Sequence, residues 1–274
     1  MKDGFLPIIF VVSRQKMKQV KHYVTTRFNM GLYNPKAKRG LPPIRVSPDE
    51  WMAHRMELFM TFALPSIMAQ TCQNFTWTVV ADDQTPAAYK DVLEGIRYPN
   101  IRFVYTDTGV TKAFRRSIAP GDYTLITTRI DNDDAFHKDT VKDIQDLYTQ
   151  KSEMPRPWFI AMPRGYTLDL AAKRLYIMEC PYSPFLTLVE NASEPLSVWT
   201  WPHTKLPIQI RKEVIIPKMY WLMIVHSQNA TNNMKTTSNK KIHYEMPLNL
   251  AVLADFGIDV GKLTGCESAN RSLV

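Results

Sequence analysis

The sequence is short of the features that staple, export or anchor a chain. Its 274 residues contain 3 cysteines, Cys72, Cys180 and Cys266, which lie far apart and form no CxxC pair. One thiol is left over in any pairing, so neither a disulfide framework nor a structural zinc site is indicated, and the compartment read from this usage is the reducing cytoplasm. No apolar run reaches the ~18 residues of a membrane span. The longest near the N-terminus, Phe5 to Val12, also lacks a small-residue cleavage site after it. Met17 stands where a start would fit, which makes residues 1–16 an expected dispensable extension. Internal repeats and low-complexity tracts are absent. So is any helix or strand with clustered Lys and Arg interleaved with aromatics, which argues against nucleic acid as a partner.

What remains is an ordinary globular composition, 45% hydrophobic and 22% charged, in a chain long enough to bury a sizeable core unaided. Lys and Arg number 34 against 26 Asp and Glu, for a net charge of +8. A surplus of that sign favours phosphate-bearing molecules or anionic lipid, so peripheral contact with the inner face of a membrane is the second location it suggests.

Hydrophobic patterning predicts alternating strands and helices. Val20 to Arg27 is rich in β-branched and aromatic residues and reads as a strand. From Gly31 to Ser47 four positive charges and three prolines interrupt any period, and a loop of that length is more often functional than idle. Ser47-Pro48-Asp49-Glu50 is a capping box opening a helix whose apolar positions run from Met52 to Met68, with Pro65 kinking or dividing it. Strands follow at Thr76–Ala81 and Ile101–Tyr105, with a short helix from Ala87 to Gly95 between them. A fourth strand, Tyr123–Ile130, runs into Asp131-Asn132-Asp133-Asp134, and a helix after His137 puts Val141, Ile144, Leu147 and Tyr148 on one face. Strand, helix, strand argues for an α/β fold with a mostly parallel central sheet and flanking helices. Beyond Met154, prolines break the chain into short aromatic elements. One domain over 1–274 is expected, with halves at about 17–154 and 155–274.

The acidic cluster is the main chemical signal. Ligands of open α/β sheets sit beyond the carboxyl ends of the strands, where Asp131, Asp133 and Asp134 project. Carboxylates so close repel unless a cation or donors neutralise them. Hard oxygen ligands suit Mg²⁺ or Mn²⁺ held against a diphosphate. The bland alternative is an acidic turn with Asp133 or Asp134 capping the next helix.

Asp131-Asn132-Asp133 resembles the DxD motif of GT-A glycosyltransferases. Thr26-Arg27-Phe28-Asn29, Pro65-Ser66 through Gln70-Thr71, Phe75-Thr76-Trp77, Asp82 to Pro86, and Arg129 through His137 together are similar to the putative rhamnosyltransferase family, in motif order over residues 20–230. The resemblance implies a GT-A-like nucleotide-sugar transferase fold and metal-assisted transfer of a sugar, rhamnosyl or another, from a nucleotide-sugar donor to a hydroxyl acceptor such as a glycan or lipid-linked glycan, with inversion preferred. It places Asp82 or Asp83 on the base or ribose, Asp131 on the ribose or the metal, and Asp133 on the metal that bridges the donor phosphates. Arg27 and Arg129 become phosphate or carboxylate partners. The Gly-Ser that usually follows the Asp pair is missing here.

The second half offers the remaining candidates. Glu190, after an apolar run, is the first choice for the base that takes the acceptor proton. Arg164 and Tyr166 are acceptor-pocket candidates, with Gly165 allowing close backbone approach. His226, at the end of Tyr220–Val225, is either a third metal ligand or a structural histidine. Trp199 and Trp201 stack on a sugar or belong to the core. Lys112, Arg115 and Arg116, with the basic residues of the Gly31–Ser47 loop, are candidates to attract the donor diphosphate or an anionic glycan or lipid acceptor. Two rivals keep the same residues, a metal-dependent phosphohydrolase or nuclease and a catalytically inactive glycan-binding homologue.

Overall fold

The computed structural model describes residues 19–34, 46–229, 241–259 and 261. The expected extension at 1–16, most of the loop before Ser47, and Cys266 lie outside them.

The first strand, β1 (Val20–Arg27), leads to α1 (Pro48–Leu58), where both halves of the Ser47/Glu50 capping box are present. Pro65 has no N–H to offer and its ring crowds the preceding turn, and the helix widens there into a π-helical turn, Phe59–Ala63, before α2 (Leu64–Met68). Then come β2 (Thr76–Asp82), α3 (Ala87–Glu94), β3 (Ile101–Thr106), α4 (Val110–Ser117), β4 (Thr124–Arg129), the two-residue β5 (Ala135–Phe136) and α5 (Thr140–Gln150). The second half contributes β6 (Trp158–Ala161), β7 (Arg164–Asp169), β8 (Arg174–Glu179), β9 (Thr187–Asn191), the short α6 (Leu206–Gln209), β10 (Glu213–Ile215), β11 (Met219–Val225), β12 (Lys241–Pro247) and α7 (Leu250–Asp255).

Seven strands form one sheet in the order β10-β6-β9-β4-β1-β2-β3, and five form another in the order β12-β8-β7-β11-β5. Strands β4, β1, β2 and β3 are mutually parallel, as the alternation of strands and helices implies. The parallel run stops at β9, which lies antiparallel to both β4 and β6. The sheet is therefore mixed, and strands of the second half complete it.

Side-chain alternation gives this sheet two different faces. Val24, Trp77, Val79, Ala81 and Ile126 pack under α1, α2 and α5 in the largest core cluster. Leu125 and Tyr123 face α4 through Phe114 and Ile118, and Leu186, Leu188, Val198 and Trp199 form a third cluster. No helix among the described residues is long and apolar enough to cross a membrane.

Candidate functional site

Because β1 to β4 run parallel, Arg27, Asp82 and Arg129 all end on one edge of the sheet. Thr25 pairs with Arg129 across β1 and β4, so Arg27, Thr25, Thr127 and Arg129 share a face. Trp199 covers that face. Its Nε1 donates to Thr25 Oγ1 at 2.7 Å, and the guanidinium groups of Arg129 and Arg27 lie 4.0 and 5.5 Å from the centre of the Trp199 indole. Arg129 is 6% exposed, and burial lowers its pKa to about 10 although Asp131 pulls the other way. Its Nε is buried with no acceptor among the described residues.

At the end of β2 the two aspartates differ. Asp82 is fully buried, and its carboxylate accepts from the backbone N–H groups of Tyr33, Asn34 and Gln84 at 3.1, 2.9 and 3.0 Å. Asn29 closes the same corner, accepting from the Asp82 N–H at 3.0 Å and donating to Thr85 at 2.9 Å. Asp82 thus orders the loop after β1, so of the two aspartates expected at the base or ribose it is the one whose carboxylate is already bonded. Asp83 is exposed and accepts from the Asn34 side chain at 3.0 Å, which leaves it the accessible member of the pair.

The acidic loop lies between β4 and β5, and sheet register explains how distant residues meet there. Strand β11 is antiparallel to β5, with Leu222 opposite Ala135, so its C-terminal end runs back along the loop. The Ile224 N–H donates to Asp134 Oδ1 at 3.0 Å, and His226 Nε2 comes to 3.1 Å from Asp133 Oδ2. From the other side, buried Arg55 of α1 forms an ion pair with Asp133, donates to Asn132 Oδ1 at 3.2 Å, and packs 5.1 Å from the centre of the Trp51 ring one turn earlier. Asn132 in turn donates to the Phe28 carbonyl at 3.1 Å, tying the loop to β1. His54 completes the group with Nε2 2.9 Å from His226 Nδ1.

Electrostatics follow from these contacts. Burial alone would raise the Asp133 pKa, but Arg55 and His226 hold it below the usual carboxylate range. For Asp134, burial and then the neighbouring charges of Asp133 and Asp131 push the pKa well above it. His54 is lowered to about 4 by burial and by the adjacent His226 and Arg55, so it is neutral. The carboxylate of Asp133 can only accept, so His226 donates from Nε2 and uses Nδ1 as acceptor for His54 and for the Gln228 N–H at 3.2 Å. Asp131 is the accessible carboxylate of the loop, with 29% of its side chain exposed and Arg129 at 3.8 Å.

The expected ligand set for Mg²⁺ or Mn²⁺ was Asp131, Asp133 and His226. Asp133 and His226 do meet, yet they bond to each other, and the cation on Asp133 is the Arg55 guanidinium. Among the described residues no three His, Cys, Asp or Glu side chains converge as a metal cage. The arrangement does not fit a divalent ion on Asp133 while Arg55 stays in place.

Three expected site residues lie away from the acidic loop, two by strand direction and one by packing. Glu190 pairs with Leu125 at the start of β4, six residues before Asp131, or about 20 Å along the strand. Its buried carboxylate accepts from the backbone N–H groups of Leu196 and Ser197 at 2.5 and 2.8 Å, so it anchors the turn carrying Trp199 and is no base at the acidic loop. Arg164 pairs with Met219 at the start of β11, seven residues short of His226 and about 23 Å away. Tyr166 sits opposite Leu222 and packs on Phe256, lining a separate cleft of about 170 Å³ with His137, Asp143 and Tyr220. The close approach at Gly165 is made by the Trp221 ring. Arg115 is likewise engaged, donating to the Leu196 carbonyl and to Thr200.

Arg55 and His54 are the residues that sequence reasoning missed. Position 55 falls on the apolar stripe of α1 with Met52, Met56 and Phe59, and a charged residue on such a stripe signals a buried partner.

Comparison with known proteins places these observations in a family. No curated protein matches the chain. Among solved structures, S. aureus TarS 1-349 in complex with UDP is similar at 14% identity and TM-score 0.42, over 75% of this chain and 60% of that one. S. aureus TarS 1-349 without the nucleotide gives 14% identity and 0.43, over 74% and 60%. A nucleotide-diphospho-sugar transferase from Desulfovibrio desulfuricans G20, so described with the prefix "putative", gives 8% and 0.36 over 91% and 98%. The chain thus spans about three fifths of the length of the TarS 1-349 structures. The family described as "Putative rhamnosyl transferase" matches residues 45–238, well over half of the sequence and including the acidic loop, Arg55, Trp199 and His226, and the chain belongs to that family.

Proposed function

We propose that the protein is a GT-A-like glycosyltransferase that moves a sugar from a nucleotide-sugar donor to a hydroxyl acceptor, with rhamnosyl as the first sugar to test. The observation that carries this is a pair of buried guanidinium groups, Arg55 and Arg129, that flank the acidic loop at the carboxyl ends of parallel strands and each keep an Nε–H with no acceptor among the described residues. A buried donor without a partner is rare and costs ~1–3 kcal/mol. Two of them bordering one acidic loop suit an anion with several acceptor oxygens, which a diphosphate is. Family membership supports the same reading.

In this reading Arg27 and Arg129 hold the donor diphosphate, and Arg129 stabilises the charge that builds on the leaving phosphate as the glycosidic bond breaks. Trp199 keeps both guanidinium groups in place by covering the face from which they project. Asp83 serves the base or ribose, since Asp82 is saturated by backbone amides. With Glu190 out of reach, Asp131 is the loop carboxylate with enough freedom to take the acceptor proton, and inversion would be read from the anomer formed. The acceptor is a glycan or lipid-linked glycan, and the net charge of +8 supports peripheral contact with an anionic surface. A two-ion hydrolase is disfavoured, because Asp133 and Asp134 are buried and already bonded.

The deciding experiment offers UDP-, GDP- and dTDP-sugars with a glycan acceptor panel and measures released nucleoside diphosphate. Release from at least one donor, reduced by about tenfold or more in Arg129→Met, is the expected result. Release from none, or equal release by the variant, refutes the reading.

A further inference from the structure

Resting on that transferase reading, we infer that Arg55 is the resident cation of the donor site, holding on Asp133 the place that a divalent metal would take, so that nucleoside diphosphate binds without a metal ion.

The argument begins with how completely Arg55 is built in. It projects from the buried stripe of α1, its guanidinium lies over Trp51, and its Nη1 reaches both Asp133 and Asn132. Asn132 is itself fixed to the Phe28 carbonyl, so helix, β1 and acidic loop lock the pair from three sides. Asp133 Oδ2 receives the remaining bond from His226, whose ring is oriented in turn by His54 and the Gln228 N–H. A metal reaching Asp133 would have to displace a guanidinium from a buried partner. Breaking such a pair lowers metal affinity by about a hundred- to several-thousand-fold relative to an open carboxylate.

The second strand of the argument is what Arg55 has left to give. Its Nε is buried and has no acceptor among the described residues, and Arg129 shows the same feature across the loop. A guanidinium that neutralises Asp133 and still has an N–H to donate does two things a bridging metal does, since it cancels the carboxylate charge and binds a phosphate oxygen. The acidic loop is thus electrically closed before the donor arrives.

The test is calorimetric binding of UDP, GDP, CDP and dTDP, each titrated in EDTA and in Mn²⁺, to the wild type, to Arg55→Lys and to the double variant Arg55→Met/Asp133→Asn. The double variant removes both charges together, so no buried charge is left alone and folding is preserved. The wild type is expected to bind its preferred nucleotide with affinities that agree within about threefold in the two buffers. Arg55→Lys, which keeps the charge but loses the fork, and the double variant are both expected to bind about tenfold or more weakly in EDTA. Binding by the wild type only in Mn²⁺, or undiminished binding by the double variant, overturns the inference and leaves the transferase reading standing. Failure of every nucleotide in both buffers overturns both.

Discussion

Replacing Gly165 with alanine separates a glycine that lines a ligand pocket from one that makes room for the core. An added Cβ would lie 2.1 Å from Cδ2 of Trp221 and 2.4 Å from Cε3. Ordinary contact begins near ~3.4 Å, so the ring must move by more than about 1 Å. Trp221 has nowhere to go. It is fully buried, stacked on Phe185 at 5.1 Å and 14°, and its Nε1 donates to the Met162 carbonyl at 2.8 Å. Overpacking costs ~1–3 kcal/mol, and the stretched or lost buried hydrogen bond adds ~1–3 kcal/mol. A total of about 2–6 kcal/mol corresponds to a fall in Tm of roughly 4–24 °C for a chain of this size. Thermal unfolding followed by near-ultraviolet circular dichroism reads both the melt and the tryptophan environment. In the double variant with Trp221→Leu, Gly165→Ala should add almost nothing to the cost of Trp221→Leu alone, because its clash partner has gone. A single variant melting within about 2 °C of wild type, or additive losses in the double, would refute the reasoning.

Other outcomes follow from the same contacts. Burial raises the Glu190 pKa from 4.5 to about 7. A folded value above the unfolded one gives stability that is full below the unfolded pKa and is lost as pH rises through the folded value. Wild type should therefore lose more stability than Glu190→Gln between about pH 5 and pH 7, measured by urea midpoints across that range, and parallel curves would count against the assignment. Ser47→Ala removes the capping box of α1 and should cost about 1 kcal/mol, a fall of ~2–4 °C in Tm, without changing nucleotide affinity. Trp199→Ala should destabilise by ~3–5 kcal/mol and also weaken nucleoside diphosphate binding, since it releases Arg27 and Arg129. An affinity equal to that of wild type in the folded fraction would separate the indole from the anion site.

Local signals made the first half readable. The Ser47/Glu50 box, the β-branched run from Val20 to Arg27 and the 3.6-residue period of α5 each arise within one element, and each is found where the sequence indicates. Helix α4 escaped because it opens at Gly109 with no side-chain cap. The acidic loop and Arg27, Arg129 and His226 were legible as strand-end residues, and they lie at or just past the ends of β1, β4 and β11. The candidate site was illegible wherever strand direction decided the outcome. An apolar run ending in Glu190 reads the same in either direction, but β9 is antiparallel to β4, and that places Glu190 at the edge opposite the crevice. Arg164 was illegible for the same reason, since only the pairing of β7 with β11 says which end of the strand meets Asp133, while Tyr166, opposite Leu222, is set by its packing on Phe256. Arg55 left a trace as a charge on an apolar stripe, while its partner lies 78 positions away and is identified by packing alone.

The placement of β9 beside β4 has a consequence for engineering. A tempting way to retarget the protein is to graft a foreign C-terminal segment onto the N-terminal portion at about residue 155. That cut would strip β4 of its neighbour, expose a row of unsatisfied amides and carbonyls on the strand that leads to Asp131, and remove the His226 imidazole from Asp133. Exchange of surface loops that leaves β6, β9 and β11 intact is the route by which recognition can be altered while the cleft survives.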